Sequence, residues 1–167
     1  MKTVGQLLEL AGIGKDRLQL RWVSSSEGPQ FAGYVTELTE LVRGLGPLEA
    51  EARKLSLAAV HRALKAPSLR WLMGMERQLT ERGNVYQEKL DPVVYENLLG
   101  RAGEVEFQRA LIFEALAERP RTVRAMADLT GLPTYTISLR LNDLERSGQV
   151  GLRGHEGTSP IFSVLTA

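Results

Sequence analysis

Apolar residues recur along this chain with two different periods. Val4, Leu7, Leu8 and Ala11 fall at i, i+3, i+4 and i+7, which predicts a helix over Thr3 to Ala11 stopped by Gly12. Leu18, Leu20 and Trp22 then alternate with Gln19, Arg21 and Val23, the period-two pattern of a strand with one buried face. Ser24 and Glu27 have capping-box spacing, with Ser26 as a competing cap, and Pro29 fits a first helical turn. Phe31, Tyr34, Val35, Leu38, Leu41, Val42 and Leu45 form a continuous helical stripe up to Gly46-Pro47. A lone strand between two helices leaves its edges unpaired, so this one is expected to pair with another chain or with sheet located elsewhere.

Beyond Pro47 the pattern is helical. Leu48 to Ala66 is rich in Ala, Leu, Glu, Arg and Lys, and Pro67 ends it. Ser68 is placed to cap a second helix reaching Arg82, with Leu69, Leu72, Met73 and Leu79 inward and Gly83-Asn84 closing it. Asp91-Pro92 is a cap followed by proline at the first helical position, opening Val93 to Leu99. Gly100 and Gly103 are read as the boundary to a last domain.

From Glu104 a helix carries Phe107, Ala110, Leu111, Glu114 and Leu116 and ends before Pro120. Thr122 caps a short helix with Met126 inward, and Gly131-Leu132-Pro133 makes a tight turn. Thr134 caps a third helix with Ile137, Leu141 and Leu144 on one face, ended by Ser147-Gly148. Gln149 to Arg153 and Ile161 to Leu165 read as strands joined by a polar loop over 154–159. Helix, helix, turn, helix and hairpin is the winged helix-turn-helix arrangement, and Thr122 to Leu132 and Leu139 to Val150 resemble that superfamily. The fold class expected is mainly α with small β content, in three parts. These are a helix-strand-helix segment over 1–47, a helical connector over 48–103 and a winged helix over 104–167.

Charge decides how that last part is read. The whole chain carries +1, but residues 104–167 hold seven basic side chains against eight acidic ones, for −1. Duplex DNA is held largely through neutralised phosphates, so a DNA-binding version should present a basic surface. On the would-be recognition helix Arg140 and Arg146 are offset by Asp143 and Glu145. Thr134, Tyr135, Thr136, Ser138, Arg140 and Asn142, with Arg153 and His155 on the wing, are the residues that would meet DNA. Protein contact is the favoured use of the domain, and a DNA-binding transcription regulator is the alternative.

No catalytic constellation stands out. His61 lies mid-helix with no ligand-type side chain at i±3 or i±4, and His155 lies in a glycine-flanked loop. Neither has a nucleophile and an orienting acid beside it in sequence. The absence of cysteine excludes disulfides, thiolate zinc sites and any cysteine-ligated cluster built by this chain alone. No apolar run approaches the roughly 20 residues needed to span a bilayer, and a cytoplasmic location is expected. The hydroxyls of Ser24 to Ser26 before a helix start could hold an anion, but Glu27 would repel it, and capping is the favoured role.

The segment from Val4 to Pro47, above all Arg17-Leu18, Trp22-Val23-Ser24, Ser26-Glu27-Gly28 and Phe31, resembles the C-terminal part of the delta (iron–sulfur) subunit of methyl-viologen-reducing hydrogenase. Arg70 to Gly74, Gly83 to Tyr86 and the terminal domain look like an extension of some members of that group. The resemblance implies a place in an electron-transfer system with hydrogenase or heterodisulfide-reductase-type partners. It also implies an iron–sulfur cluster on a partner subunit or on a preceding segment, with no cofactor on this chain. The cysteine-bearing half is expected either as a separate polypeptide or upstream of a late-starting reading frame. The expected function is a non-catalytic accessory subunit that docks redox proteins, and oligomerisation is open. Trp22, Ser24, Ser26, Glu27, Phe31 and Trp71 are the candidate partner-binding residues.

Overall fold

The computed structural model describes residues 2–165. Helix α1 spans Lys2–Leu10, and a 3₁₀ turn follows at Lys15–Arg17. Helix α2 spans Gly28–Leu45, α3 Lys54–Lys65, α4 Pro67–Gly74 and α5 Pro92–Glu118. Then come strand β1 (Arg121–Thr122), α6 (Val123–Thr130), α7 (Thr134–Arg146), β2 (Val150–Glu156) and β3 (Ser159–Val164). The protein is mainly α with a small antiparallel sheet of order β1-β3-β2.

Helix α5 is the spine. Its 27 residues extend roughly 40 Å at 1.5 Å per residue. Asp91 caps it by accepting the amide hydrogens of Val93 (2.8 Å) and Val94 (3.2 Å), with Pro92 at the first turn as expected. Phe107, Ala110 and Leu111 enter a first core with Leu7, Ala59, Val60, Ala63 and Leu69 from α1, α3 and α4. Ile112 and Leu116 enter a second core with Met126, Ile137, Leu141, Leu144 and Val150. Successive turns thus bury different faces, and no single stripe runs the length of the helix.

Gly100 and Gly103 lie inside this continuous helix, contrary to their reading as a break. Helix α1 crosses them at ordinary packing distance, leaving room for a Cβ. A Cβ at either would stand 3.5–3.6 Å from the Gln6 side-chain amide, whose Nε2 donates to the Gly100 carbonyl at 2.8 Å.

Several other local expectations are corrected. Leu18 starts extended, at φ −126° and ψ 113°, but Leu18 to Val23 joins no strand among the described residues. Residues 48–53 form loose turns, and helix begins only at Lys54. That exposed stretch has no face to bury, and propensity alone seldom sustains so short a helix. The helix expected over Ser68 to Arg82 is interrupted at Met75 and resumes at Glu76, passing into a π-helical turn over Gln78–Arg82. Ser68 does not cap it, since its hydroxyl donates to Glu106 at 2.7 Å. Pro133, already extended at φ −58° and ψ 142°, takes the cap position assigned to Thr134.

Thr122 does cap α6, accepting the Ala125 amide hydrogen at 3.2 Å, and Gly131 closes it at φ +72°. The same Thr122 belongs to β1, a two-residue strand that escaped the hydrophobic pattern and pairs Arg121 with Phe162 and Thr122 with Ile161. Arg121 is buried there. Its Nε donates to the Ala115 carbonyl at 3.0 Å, satisfying an orphan acceptor at the end of α5, and its guanidinium pairs with Glu118. The hairpin strands are longer than expected, and the turn between them shrinks to Gly157-Thr158.

Ile112→Ala should lower unfolding free energy by about 3 kcal/mol, because a fully buried branched side chain leaves a cavity that the second core cannot refill. Chemical denaturation of purified protein measures it. Tyr95 is buried at the α4–α5 contact, where its hydroxyl donates to the Leu72 carbonyl at 2.9 Å. Burial, aided by the Glu76 charge, holds its phenol above the ordinary value of 10.0. The unfolded chain therefore releases this proton at lower pH than the folded one. The stabilisation is complete below pH 10 and is lost as pH rises through the folded value. Tyr95→Phe should remove that alkaline loss in melting curves, while costing about 1 kcal/mol at neutral pH for the lost hydrogen bond, the Leu72 carbonyl keeping the Met75 amide at 3.2 Å.

Candidate docking surface

Residues 17–46 form a distinct arm. Arg17 donates to the carbonyls of Leu45 (3.0 Å) and Gly46 (2.9 Å), which α2 leaves without intrahelical partners. That contact fixes the end of α2 beside the start of the extended segment. At the far end the Ser24 amide donates to Glu27 Oε2 at 2.8 Å, and the Glu27 amide donates back to the Ser24 carbonyl at 3.0 Å. Half of the expected capping box is therefore made. The Ser24 hydroxyl instead meets that of Ser26 at 3.2 Å, and no side chain caps α2. Ser24, Ser26 and Glu27 shape the turn that folds the segment back along the helix.

Between these two anchors the Arg21 guanidinium lies 5.4 Å from the centre of the Tyr34 ring, a cation–π contact. Gln30 Nε2 donates to the Tyr34 hydroxyl at 2.8 Å and holds the ring in place. A cleft of about 350 Å³ opens there, lined by Arg21, Val23, Phe31, Tyr34, Val35 and Leu38.

The stripe on α2 lies where the periodicity put it, but it is not buried. No residue of this 18-residue helix is buried, and Phe31 is 60% exposed and Trp22 85%. Among the described residues only the 3₁₀ turn packs substantially against α2. A single isolated apolar residue at a surface is ordinary, but a contiguous unpartnered helix face marks an interaction site.

Trp71 lies elsewhere. It is 61% exposed beside an apolar groove of about 600 Å³ between α4 and α5, lined by Pro67, Leu72, Leu98, Ala102 and Val105. Trp22, Ser24, Ser26, Glu27 and Phe31 share the arm, and Trp71 belongs to this second apolar patch.

On α7 the residues considered for DNA divide into two sets. Thr134, Tyr135, Ser138 and Asn142 are exposed, and Thr136 is half-buried. The Ser138 hydroxyl is engaged by the Thr134 carbonyl at 2.9 Å. Arg140 is largely buried and held by Asp143 at 2.8 Å. Arg153 sits where the β2–β3 register shifts between Leu152 and Gly154, a bulge that frees it to point outward. Exposed Leu139 shares the helix with Tyr135, and exposed Leu152 precedes Arg153.

One feature has no signal in the sequence. A cleft of about 510 Å³ between α3, α5 and α7 is bordered by His61, Arg62, Lys65, Arg109, Phe113 and Glu114. Arg62 lies 3.7 Å from the Phe113 ring centre and its Nε pairs with Glu114 at 2.6 Å, while Arg109 pairs with Glu106 at 3.2 Å. Residues 62 and 114 are joined only by folding. The acids already engage both arginines, so the cleft does not present them as free cations.

Among the described residues no group of three or more His, Asp or Glu side chains is arranged to hold a metal ion. The chain lacks cysteine, so its own side chains do not fit a thiolate-ligated cluster. No described helix is long and apolar enough to cross a membrane.

Because no described residue buries the stripe, Phe31→Ser combined with Leu38→Ser should shift thermal unfolding by no more than the equivalent of about 0.5 kcal/mol. A large loss would mean that α2 is packed in solution.

The arm lies within the part of the chain that a known family matches. Residues 1–46 match the methyl-viologen-reducing hydrogenase delta subunit family. Over 50 residues the chain is 42% identical to an iron–sulfur subunit of the F420-non-reducing hydrogenase of Archaeoglobus profundus, covering 30% of this chain and 36% of that protein. The chain thus spans little more than a third of the length of that relative. No solved structure matches the chain. The stretch similar to the hydrogenase delta subunit family therefore runs from α1, which packs into the first core, to α2, whose apolar face stands open.

Proposed function

We propose that this chain is a non-catalytic accessory subunit or domain of an electron-transfer complex of the hydrogenase or heterodisulfide-reductase type, docking redox proteins through residues 18–45. One observation carries the reading. The segment similar to a hydrogenase iron–sulfur subunit ends in an 18-residue helix with no buried residue. The iron–sulfur centre belongs to a partner or to another part of the assembly, since this chain offers no thiolate. The unit from α5 to β3 is a winged helix, as its order of helix, short strand, two helices and hairpin supports. Its role is protein contact, through Tyr135 and Leu139 on α7 and through the Trp71 groove on the connector.

Tagged protein isolated from its native source should carry a flavin- or cluster-bearing companion, visible in the absorption spectrum and identified by mass spectrometry. Recovery as a lone colourless monomer, at low salt and at native abundance, overturns the reading.

The same topology also supports a DNA-binding regulator, with Thr134, Tyr135, Asn142 and Arg153 exposed to meet a duplex. Against it stand the −1 charge of residues 104–167 and the pairing of Arg140 with Asp143. Titration with random duplex DNA separates the two. We expect no binding in the micromolar range even at low salt, whereas micromolar affinity with a steep salt slope would favour the regulator.

A further inference from the structure

We propose that the extended segment Leu18–Val23 and α2 together receive the open edge of a partner's β-sheet, making the partner an α/β protein that contributes a strand parallel to residues 18–23. This deepens the docking reading above and rests on it.

The backbone supplies the first argument. From Gln19 to Val23 no main-chain amide or carbonyl makes a backbone hydrogen bond among the described residues. The segment is nevertheless held open at both ends. The Leu18 amide donates to the Lys15 carbonyl, Arg17 clamps the end of α2, and Ser24 and Glu27 close the far turn. Such a row of unpaired donors and acceptors is a template for another strand.

The side chains alternate as a strand's do. Gln19, Arg21 and Val23 line the cleft with α2, while Leu18, Leu20 and Trp22 are 40%, 50% and 85% exposed. The segment therefore has a polar–aliphatic side already facing the helix and an apolar side that is half to largely exposed among the described residues.

Dimensions select a sheet. A helix with its side chains is about 10 Å across, whereas strands lie roughly 4.8 Å apart, so a helix covers about two strands. One extended segment shields only part of α2, which agrees with Phe31, Val35, Leu38, Leu41 and Val42 remaining exposed beside it. A helical partner could cover that stripe, but it would leave the backbone of residues 19–23 unpaired. An added strand satisfies both. After α2 the chain runs on to α3 and brings no further strand to this site, and β1, β2 and β3 pair with one another. A strand that enters a helix through a tight turn is half of a βαβ unit, whose next strand runs parallel to the first.

The test uses the complex isolated with the full-length chain, compared with the free chain by hydrogen–deuterium exchange. Amides of residues 19–23 should exchange at least roughly tenfold more slowly in the complex. Leu20→Pro and Arg21→Pro remove donors from opposite edges of the segment. One of the two should weaken the complex by roughly tenfold or more, while Leu20→Ile and Arg21→Lys retain it. Both proline variants should keep the melting temperature of the free chain, which has no backbone bond there to lose. If the complex forms but slowed exchange is confined to α2 or to the Trp71 groove, or if neither proline weakens it, the strand-acceptor assignment fails and the docking reading stands. Protection that rises with concentration in the free chain would make the occupant a second copy and overturns the assignment. Absence of any complex defeats both.

Discussion

Leu111 and Ile112 are neighbours on α5, yet they enter different cores. A turn of helix places adjacent residues about 100° apart, so one rigid rod can serve two packed clusters without a hinge. Everything else in the body is arranged on that rod. Helices α1, α3 and α4 close over one part of it, while α6, α7 and the hairpin close over another. Gln6 ties α1 to the rod by donating to the Gly100 carbonyl, and buried Arg121 ties the end of the rod to the sheet by giving its Nε to Ala115.

The arm obeys a different constraint. Its internal contacts are polar and local, consisting of a guanidinium on two helix-end carbonyls, a carboxylate on a turn amide and an arginine on a tyrosine ring. These fix its shape but leave no residue of α2 fully buried. Hydrophobic gain scales with apolar area removed from water, so the part of the α2 stripe that stays exposed leaves some of that gain unrealised among the described residues. The stretch that known hydrogenase subunits match ends where α2 ends, which links the open face to the resemblance.

Much of the helical plan was legible because periodicity and caps are local. The stripe on α2, Asp91-Pro92 at the head of α5, Thr122 as a cap and Gly131 as a stop can be read from residues within one or two turns. What could not be read depends on distant residues. Gly100 looks like a helix stop until Gln6 is seen across it. Ser68 looks like a cap until Glu106 takes its hydroxyl. The strand β1 is too short to show a pattern and exists only because β3 returns beside it.

The sequence by itself determined which residues of the arm are apolar and at what spacing, because side-chain identity and helical or extended period are properties of the local chain. It also determined that the chain provides no cysteine thiolate. Only the tertiary structure decided that the apolar spacing of α2 would remain uncovered, that Leu18 to Val23 would be extended without a ladder, and that Arg62 would meet Glu114 across a cleft. Burial, strand pairing and ion pairing each require a second group brought from elsewhere in the chain, and the fold alone settles whether that group arrives.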